Sequence, residues 1–311
     1  MMRIGLMIEG QDGLTWERWR RLLQAAEDLG FAHVFRSDHF TNPEPPDTAS
    51  LELWTSLTYA AGHTARIEFG PLVTPVTFRH PAITARMAAA VDDLSGGRLT
   101  LGIGAGWQER EHRLFGVPFP PVEVRYGMLQ EYLEVVARLL RSDQPVSYQG
   151  QQYALDQAIL LPRPQRPGGP PILVGGNGPR RTLPIAARYA DEWNAVHVNP
   201  TRLGELNQRL DGLLDQAGRP RNALRRSAML AARFARDEQA LAVLEGQFAE
   251  RGTTTEEVSR CGLVGTPTMW VDQLRAYADA GADRVMLQWI DQDNIADLEV
   301  IARDVLPAFE E

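Results

Sequence analysis

Lysine is absent from this 311-residue chain, so all 32 of its basic residues are arginines. The absence excludes a Schiff-base lysine that would hold pyridoxal phosphate or a carbonyl substrate, and it excludes the lysine of a phosphate-binding P-loop. Cysteine occurs once, at Cys261, so the chain can form neither an intrachain disulfide nor a thiolate cluster for zinc or iron–sulfur. The sequence therefore excludes lysine-dependent enzymes and proteins built on disulfides or cysteine-bound metal clusters.

Long apolar runs and an excess of positive charge are also missing. Arginine or an acidic residue interrupts each apolar stretch well short of the roughly 20 residues needed to cross a bilayer. The segment from Met1 to Gly5 shows no signal-peptide pattern. The formal net charge is −8, whereas nucleic-acid phosphates usually call for a basic face. We expect a cytoplasmic protein with neither a membrane nor a nucleic-acid partner.

The chain instead contains short strand-like runs that alternate with amphipathic helical stretches. Arg3–Ile8 and His33–Arg36 have the pattern of strands, and the apolar spacing from Trp16 to Leu29 is that of a helix. The alternation continues to a last strand at Arg284–Gln288 and gives about eight units, as in a (β/α)8 barrel. A doubly wound sheet is the alternative, because one miscounted strand would blur the two folds.

Two features interrupt this alternation. Polar and apolar residues alternate on both sides of Gln149-Gly150, which predicts a small inserted hairpin. The proline-rich stretch from Pro162 to Pro171 is either a domain linker or an extended loop that leads into the fifth strand. We favour the loop, because Ile172–Val174 resumes the strand pattern at once. The chain is therefore expected to be one barrel domain, residues 1–311.

The active site of such a barrel lies at the carboxyl ends of its strands. His39 follows the second strand and is predicted to be catalytic, since a histidine there can exchange a proton near neutral pH; a structural imidazole is the alternative. Asp38 beside it either orients a ligand or caps a turn. We assign Glu109, after the fourth strand, as a second catalytic group, and leave open whether Glu109 or Glu111 takes part.

Two glycine-rich segments follow the fourth and fifth predicted strands. Gly102, Gly104 and Gly106 lack the last element of a dinucleotide-binding fingerprint, so we expect them to let a flat ring lie against the strand, with Gly106 and Trp107 contacting a cofactor. A tryptophan in the core is the alternative for Trp107. The second segment joins a strand to a helix N-terminus, which suits a phosphate, although such turns also occur without ligands. Its predicted cofactor-binding residues are Gly175, Gly176, Asn177, Gly178, Pro179 and Arg180.

Neither metal chemistry nor serine hydrolysis has a recognisable pattern here. The sequence Gly-x-Ser-x-Gly is absent. No metal-binding spacing relates the six histidines, which are His33, His39, His63, His80, His112 and His197. An organic cofactor is therefore expected to carry the chemistry, and no metal site is predicted.

Several segments together resemble the luciferase-like monooxygenase superfamily, and within it the oxidoreductases that use the deazaflavin coenzyme F420. They extend over nearly the full chain and are Ser37–Phe40, Thr74–Pro81, Asp93–Arg98, Gly102–Trp107, Gly175–Gly178, Gly265–Pro267 and Ala280–Asp283.

The resemblance implies a (β/α)8 barrel that pairs as a homodimer and binds coenzyme F420, with flavin mononucleotide (FMN) as the alternative cofactor. It implies that Asp38, His39 and Thr74 contact the cofactor, and that Gly175–Gly178 holds its phosphate. It also implies a non-prolyl cis peptide near Pro71-Leu72.

The expected function is hydride transfer between F420 and a small organic substrate, with His39 moving the accompanying proton. Trp107 stands where the sugar-phosphate dehydrogenases of this branch have a glutamate, and their phosphate-binding lysines cannot exist here, so sugar-phosphate oxidation is not expected. The alternatives are an FMN-dependent monooxygenase supplied by a reductase, a non-catalytic flavin-binding protein, and a metal-dependent barrel hydrolase using Asp38, His39 and His197. The sequence leaves the substrate open.

Overall fold

A computed structural model describes residues 2–309 of the chain. Its strands are β1 (Arg3–Ile8), β2 (His33–Arg36), β3 (Glu68–Pro71), β4 (Thr74–Pro75), β5 (Leu101–Gly104), β6 (Val146–Gln149), β7 (Ala154–Ala158), β8 (Ile172–Gly175), β9 (Glu192–Val196), β10 (Arg225–Phe234), β11 (Gly262–Gly265) and β12 (Arg284–Gln288). Within the described residues, ten of them form one sheet in the order β3-β2-β1-β12-β10-β9-β8-β5-β4, with β11 beside β10. The neighbouring strands of this sheet run parallel.

The two ends of this strand order meet, so the sheet curls into a nearly closed barrel. Phe69 in β3 forms a parallel bridge with Leu99, just before β5. The main chain joins there through Phe69 N to Arg98 O at 3.1 Å and Thr100 N to Phe69 O at 2.9 Å. The predicted (β/α)8 barrel is therefore confirmed and the doubly wound alternative is wrong.

Helices surround the barrel. They are α1 (Trp16–Asp28), α2 (Leu53–His63), α3 (Pro81–Leu94), α4 (Glu109–Phe115), α5 (Val122–Arg141), α6 (Thr182–Tyr189), α7 (Pro200–Gln216), α8 (Glu238–Glu250), α9 (Thr255–Ser259), α10 (Pro267–Asp279) and α11 (Ile295–Asp304), with short 3-10 turns at Arg221–Ala223 and Leu306–Phe309. The α1 helix begins as predicted, because the Thr15 hydroxyl accepts a hydrogen bond from Arg18 N. None of the helices in the described chain is long and apolar enough to cross a membrane.

The inserted hairpin is present, with a different turn. Strands β6 and β7 pair antiparallel, but the turn spans Gly150–Tyr153 and the second strand starts only at Ala154. The carboxylate of Glu131 in α5 holds this turn by accepting from the main-chain N–H of Gln151 at 2.8 Å and of Gln152 at 2.9 Å. The stretch from Pro162 to Pro171 is a loop that leads into β8, as expected.

Apolar side chains fill much of the barrel interior. Six buried apolar residues pack inside it, namely Met7, Phe35, Leu72, Leu173, Met229 and Met286. At the amino ends of the strands, the fully buried guanidinium of Arg284 forms ion pairs with Glu68 and Glu192. This charged plug closes the bottom of the barrel.

Glycines allow the closest strand approaches around the β3–β5 seam. A Cβ on Gly70 would lie 1.9 Å from Thr100 O, one on Gly102 would lie 2.1 Å from Pro71 O, and one on Gly104 would lie 2.5 Å from a Val73 methyl group. At Gly102 the main chain of Pro71 takes the space of a side chain, whereas the expectation that Gly104 leaves room for a flat ring stays a prediction.

Gly70→Ala is expected to lower the free energy of unfolding by about 1–3 kcal/mol, because the added methyl group overlaps a main-chain oxygen. The matched control is Gly127→Ala inside α5, where nothing lies within 4 Å of an added Cβ. That change should raise the free energy of unfolding by up to about 1 kcal/mol. Urea unfolding followed by circular dichroism measures both. Equal midpoints for Gly70→Ala and the wild type would contradict the close packing of this seam.

Candidate active site

A cavity of about 620 Å³ opens at the carboxyl ends of the barrel strands. It is lined by the glycine-rich turns after β5 and β8 and by polar side chains that follow β1, β2, β9 and β12. The lining residues are Met7, Glu9, Gln11, Asp12, Ser37, His39, Pro43, Leu72, Val73, Pro75, Gly104, Ala105, Gly106, Trp107, Glu111, Tyr126, Gly175, Gly176, Asn177, Gly178, Thr182, Asn194, Val196, His197, Met229, Gln288 and Ile290.

His39 faces this cavity and is held by a buried carboxylate. Its Nδ1 lies 2.9 Å from Glu111 Oε1, and Glu111 Oε2 accepts a hydrogen bond from Phe40 N, also at 2.9 Å. Because a carboxylate accepts hydrogen bonds, Nδ1 carries the proton and the ring orientation is set. Nε2 has no partner within residues 2–309, so it is the nitrogen available to a ligand.

The surroundings of His39 shift its pKa upwards. Burial lowers the pKa, but the hydrogen bond and charge of Glu111, together with the charges of Glu9 and Asp38, outweigh burial and leave the pKa above its ordinary value. The imidazolium form therefore persists to higher pH than in a free histidine. This is the form that can donate a proton.

The second predicted catalytic residue, Glu109, does not reach the cavity. It is the first residue of α4, and its side chain is exposed. Glu111 lies on the buried face of the same helix and is the carboxylate that contacts His39. Of the two glutamates that the sequence left open, the structure brings Glu111 to the histidine.

Asp38 and Thr74 come together just outside the cavity lining. Thr74 Oγ1 donates to Asp38 Oδ2 at 2.6 Å, and the Arg79 guanidinium forms an ion pair with the same carboxylate. Arg79 also reaches Glu52 at 2.8 Å. Arg79 lies five residues beyond Thr74, and its contact with Asp38 was not predicted from the sequence. Asp38 thus stabilises the loop after β2, and its carboxylate is already satisfied by protein donors.

The glycine turn after β8 runs along the other side of the cavity to α6. The side chain of Asn177 fixes it by accepting from Val196 N at 2.8 Å and donating to Val196 O at 2.7 Å. Gly176 has a φ of 122°, which favours glycine. Within residues 2–309, the N–H groups of Asn177 and Gly178 donate to no acceptor. These free donors beside a helix N-terminus suit an anion.

The remaining predicted cofactor contacts divide into two groups. Gly106 and Trp107 line the cavity, and the Trp107 ring meets His39 edge-on with centroids 5.4 Å apart. Trp107 is 62% exposed, so the alternative that it packs in the core is wrong. Pro179 and Arg180 lie beyond the lining, and the Arg180 side chain is exposed.

A cis peptide and a buried asparagine lie at the bottom of the cavity. A cis peptide joins Leu72 to Val73, one bond beyond the expected Pro71-Leu72, and both side chains line the cavity. Asn194 in β9 is fully buried; its Nδ2 donates to Ser227 Oγ at 2.9 Å, while its Oδ1 has no partner among the described residues. The cavity floor therefore presents one unsatisfied amide atom.

A polar chain that sequence reasoning missed runs along the rim, from the residue after β9 past β12 to the residues after β1 and β2. Glu9 accepts from Gln288 Nε2 at 2.8 Å and from Gln11 Nε2 at 3.0 Å. Gln288 Oε1 in turn lies 3.0 Å from His197 Nε2, and Gln11 Oε1 accepts from Ser37 Oγ at 2.7 Å. The signal that selected His39, a polar residue directly after a strand, applies equally to Glu9 after β1.

The hydrolase alternative needs Asp38, His39 and His197 to converge. Asp38 is bonded to Thr74 and Arg79, and His197 to Gln288. Over residues 2–309 no three His, Cys, Asp or Glu side chains form a group that would hold a metal ion. The geometry gives this alternative no support.

The comparisons with known proteins agree with the sequence resemblance. The model of the family described as luciferase-like monooxygenase matches residues 2–284. An F420-dependent hydroxymycolic acid dehydrogenase of Mycobacterium tuberculosis is 30% identical over 304 residues, covering 91% of this chain and 82% of that protein. An F420-dependent glucose-6-phosphate dehydrogenase of Intrasporangium calvum is 28% identical over 314 residues, covering 91% of each.

A solved structure extends the likeness to the fold. An F420-dependent secondary alcohol dehydrogenase in complex with an F420-acetone adduct aligns with a TM-score of 0.84 and 21% identity, over 100% of this chain and 99% of that one. At that identity the likeness is evidence for the barrel. It covers the whole chain, including the β10–β12 segment.

Glu111→Gln is expected to lower the pKa of His39, because it removes the charge and the charge-assisted hydrogen bond that stabilise the imidazolium. The proton-donating form is present below that pKa and lost above it, so the variant should lose this form at lower pH than the wild type does. Glu109→Gln is the matched control, since it removes the same charge from an exposed position. Titration of the His39 ring by NMR measures the effect; equal shifts in both variants would refute the assignment of Glu111.

Proposed function

The chain belongs to the luciferase-like monooxygenase family, and from this membership we propose that it is an oxidoreductase that uses coenzyme F420. Both relatives described above are F420-dependent dehydrogenases. The observation that carries the proposal is a single cavity that joins the free main-chain donors of the glycine turn to His39.

The residues of the cavity fit such a cofactor. The N–H groups of Asn177 and Gly178, next to the N-terminus of α6, are suited to a phosphate. A side chain at Gly178 would not fit this turn, because an added Cβ would lie 2.8 Å from Thr182 Oγ1. Leu72 and Val73 form an apolar floor on which a flat ring can pack. The unsatisfied Oδ1 of Asn194 can accept a hydrogen bond from a polar ring edge.

When bound, a reduced deazaflavin would supply a hydride from C5 and an oxidised one would accept a hydride there, so the proposed reaction is a hydride transfer to or from a small organic substrate. His39 holds or releases the accompanying proton at Nε2. Glu111 is a positioning residue, because it orients the imidazole and stabilises its charged form. Trp107, edge-on to His39, shields the reacting region on the open side.

Asp38 and Thr74 support this site from outside the cavity lining, by fixing the loop that carries His39. Gly106 and Gly175–Gly178 form the cofactor side of the cavity, with the exposed Arg180 at the end of the turn. Sugar-phosphate oxidation is not expected of this site, because lysine is absent from the chain and, among the residues that the structure describes, no arginine lines the cavity.

The same proposal includes a cytoplasmic homodimer of one barrel domain per chain. The apolar side chains of Leu114, Phe115, Val122 and Val124 are exposed on α4 and the start of α5, and a shared surface there would cover them. The lone exposed Cys261 suits a reducing compartment.

Titration of the apoprotein with coenzyme F420 and, in parallel, with FMN tests the cofactor assignment. We expect F420 to bind with a Kd of ~1 µM or tighter and FMN to bind clearly more weakly. Fluorescence of the cofactor and of tryptophan reports both equilibria. Selective binding of FMN would instead favour the oxygen-using monooxygenase and a reductase partner. Tight F420 binding without turnover of any acceptor would favour a binding protein.

His39→Ala is expected to lower kcat by about a hundredfold or more, the usual contribution of a positioned acid–base group, and to leave the Kd for F420 unchanged. His63→Ala is the control, because His63 lies exposed on α2, outside the cavity lining, and its Nδ1 lies 2.8 Å from Tyr59 O of the same helix. Stopped-flow measurement with an acceptor found by anaerobic screening separates the two constants. An unaltered kcat in His39→Ala would remove His39 from the proton transfer.

A further inference from the structure

His197 lines the cavity and has no part in the proposed hydride transfer. It directly follows β9, and its Nε2 lies 3.0 Å from Gln288 Oε1 in β12. The other ring nitrogen, Nδ1, has no hydrogen-bond partner within residues 2–309. Such a nitrogen is free to bind a ligand, and whether it donates or accepts depends on which nitrogen of the imidazole carries the proton.

The hydrogen bonds of Gln288 have a fixed direction, because the carboxylate of Glu9 stands at their end. A carboxylate only accepts, so the Gln288 amide nitrogen makes the contact of 2.8 Å with Glu9 Oε1. The amide oxygen is thereby turned to His197, where it accepts. The negative charge of Glu9 in turn favours the charged forms of the buried Arg36 guanidinium and of His39, so this carboxylate has cations within its range.

The direction of these bonds sets the tautomer of His197. Because Gln288 Oε1 accepts, His197 Nε2 carries the proton. In the neutral imidazole Nδ1 then holds a lone pair and accepts hydrogen bonds. The arrangement is the reverse of that at His39, whose Nδ1 contacts Glu111 and whose free nitrogen is Nε2. The cavity is therefore lined by two imidazoles that each keep a different nitrogen for a ligand.

The main chain at His197 is held in a conformation that few residues adopt. Its φ is 49°, and among residues 2–309 the other non-glycine residue with a positive φ is Gln157 in the hairpin. Such a conformation persists where neighbouring contacts impose it, and it is frequent at ligand sites. Here His197 N donates to Met229 O at 2.9 Å, and the Tyr277 hydroxyl donates to Val198 O, also at 2.9 Å. These bonds fix the imidazole at the cavity independently of Gln288.

The strand order places His197 between the groups assigned to the cofactor phosphate and to proton transfer. Strands β9, β10, β12 and β1 are consecutive neighbours in the sheet, flanked by β8 and by β2. The glycine turn follows β8 and His39 follows β2, whereas His197, Gln288 and Glu9 belong to the four strands in between. The polar groups along these four strands are therefore available to the substrate.

We propose that His197 is a specificity-determining residue, which accepts at Nδ1 a hydrogen bond from a hydroxyl or N–H group that the substrate carries away from its reacting atom. The inference rests on the proposed function, which places the cofactor phosphate at the glycine turn and the reacting atom at His39. Gln288 and Glu9 are positioning residues, since they hold the imidazole and its proton. A substrate without the donor leaves Nδ1 unpaired, and a site built to accept a hydrogen bond discriminates against it.

Hexane-1,6-diol and 6-methoxyhexan-1-ol test this preference. They share a flexible chain and one hydroxyl, and they differ in whether the second oxygen carries a hydrogen. Their binding to the full chain, with and without F420, is measured by ligand-observed NMR at about pH 8.5, where a histidine is ordinarily neutral. We expect the diol to bind about fivefold more tightly, the usual effect of one hydrogen bond. This ranking in the wild type requires no folded variant.

His197→Gly removes the imidazole and suits the left-handed main chain. It is expected to abolish the preference for the diol and to leave the Kd for F420 unchanged. His197→Asn should keep part of the preference, because asparagine tolerates a positive φ and its Oδ1 can accept a hydrogen bond. The matched control is Gln157→Gly, which makes the same main-chain change in the exposed hairpin and should alter neither affinity.

The ¹⁵N NMR spectrum of the His197 ring tests the placement of its proton. We expect the proton on Nε2 in the wild type and a mixture of both tautomers in Gln288→Met, which lacks the accepting oxygen. Gln24→Met is the matched control, because Gln24 Nε2 also donates to a carboxylate, that of Asp28 at 2.8 Å, on the exposed face of α1. A wild-type ring with its proton on Nδ1 would refute the assignment of this nitrogen as an acceptor.

The ligand measurements can overturn the proposal in three ways. The first is equal affinity for both ligands in the wild type or a failure of the diol to bind, and the second is a preference that persists in His197→Gly. The third is a His197→Gly variant that binds F420 more weakly and keeps the preference, which would assign Nδ1 to the cofactor. A preference that depends on His197 in a chain that does not bind F420 would refute only the proposed function.

Discussion

The parallel direction of the barrel strands is the constraint on which the site depends. Because the neighbouring strands of the sheet run the same way, their carboxyl ends meet at one rim, and the residues that follow them share one cavity. Glu9, His39 and His197 are far apart in the chain, yet each directly follows a strand or lies within three residues of its end. The ion pairs of Arg284 occupy the barrel at the amino ends of the strands, and the cavity opens at their carboxyl ends.

The two walls of the cavity offer different polar groups. On the glycine side the donors are main-chain N–H groups. The side chain of Asn177 holds this turn in place through its two hydrogen bonds to the main chain of Val196, and it adds no charge. On the β1 side the polar groups are side chains, with Glu9 at the centre of a chain of amides. The apolar residues Leu72 and Val73 line the same cavity.

Much of this could be predicted from the sequence, because regular elements have a local signature. Strands β1, β2 and β12 have the predicted bounds, since each is a short apolar run between clear breaks. The segment α8, α9 and β11 was not predicted, although Leu241, Leu244 and Phe248 in α8 have helical spacing. The role of Gly102 also could not be predicted, since it depends on which distant strand packs against it.

The choice between Glu109 and Glu111 could not be made from the local sequence. In a helix two residues apart differ by about 200° in direction, so two such glutamates cannot face the same cavity. The helix phase decides between them, and it is fixed by burying His112, whose ring bonds to Gln108 O and Thr77 Oγ1. Those contacts join α4 to the segment after β4. The residue that orients His39 is thus selected by the tertiary packing of the neighbouring His112, and a sequence pattern for this positioning carboxylate has to include that buried histidine.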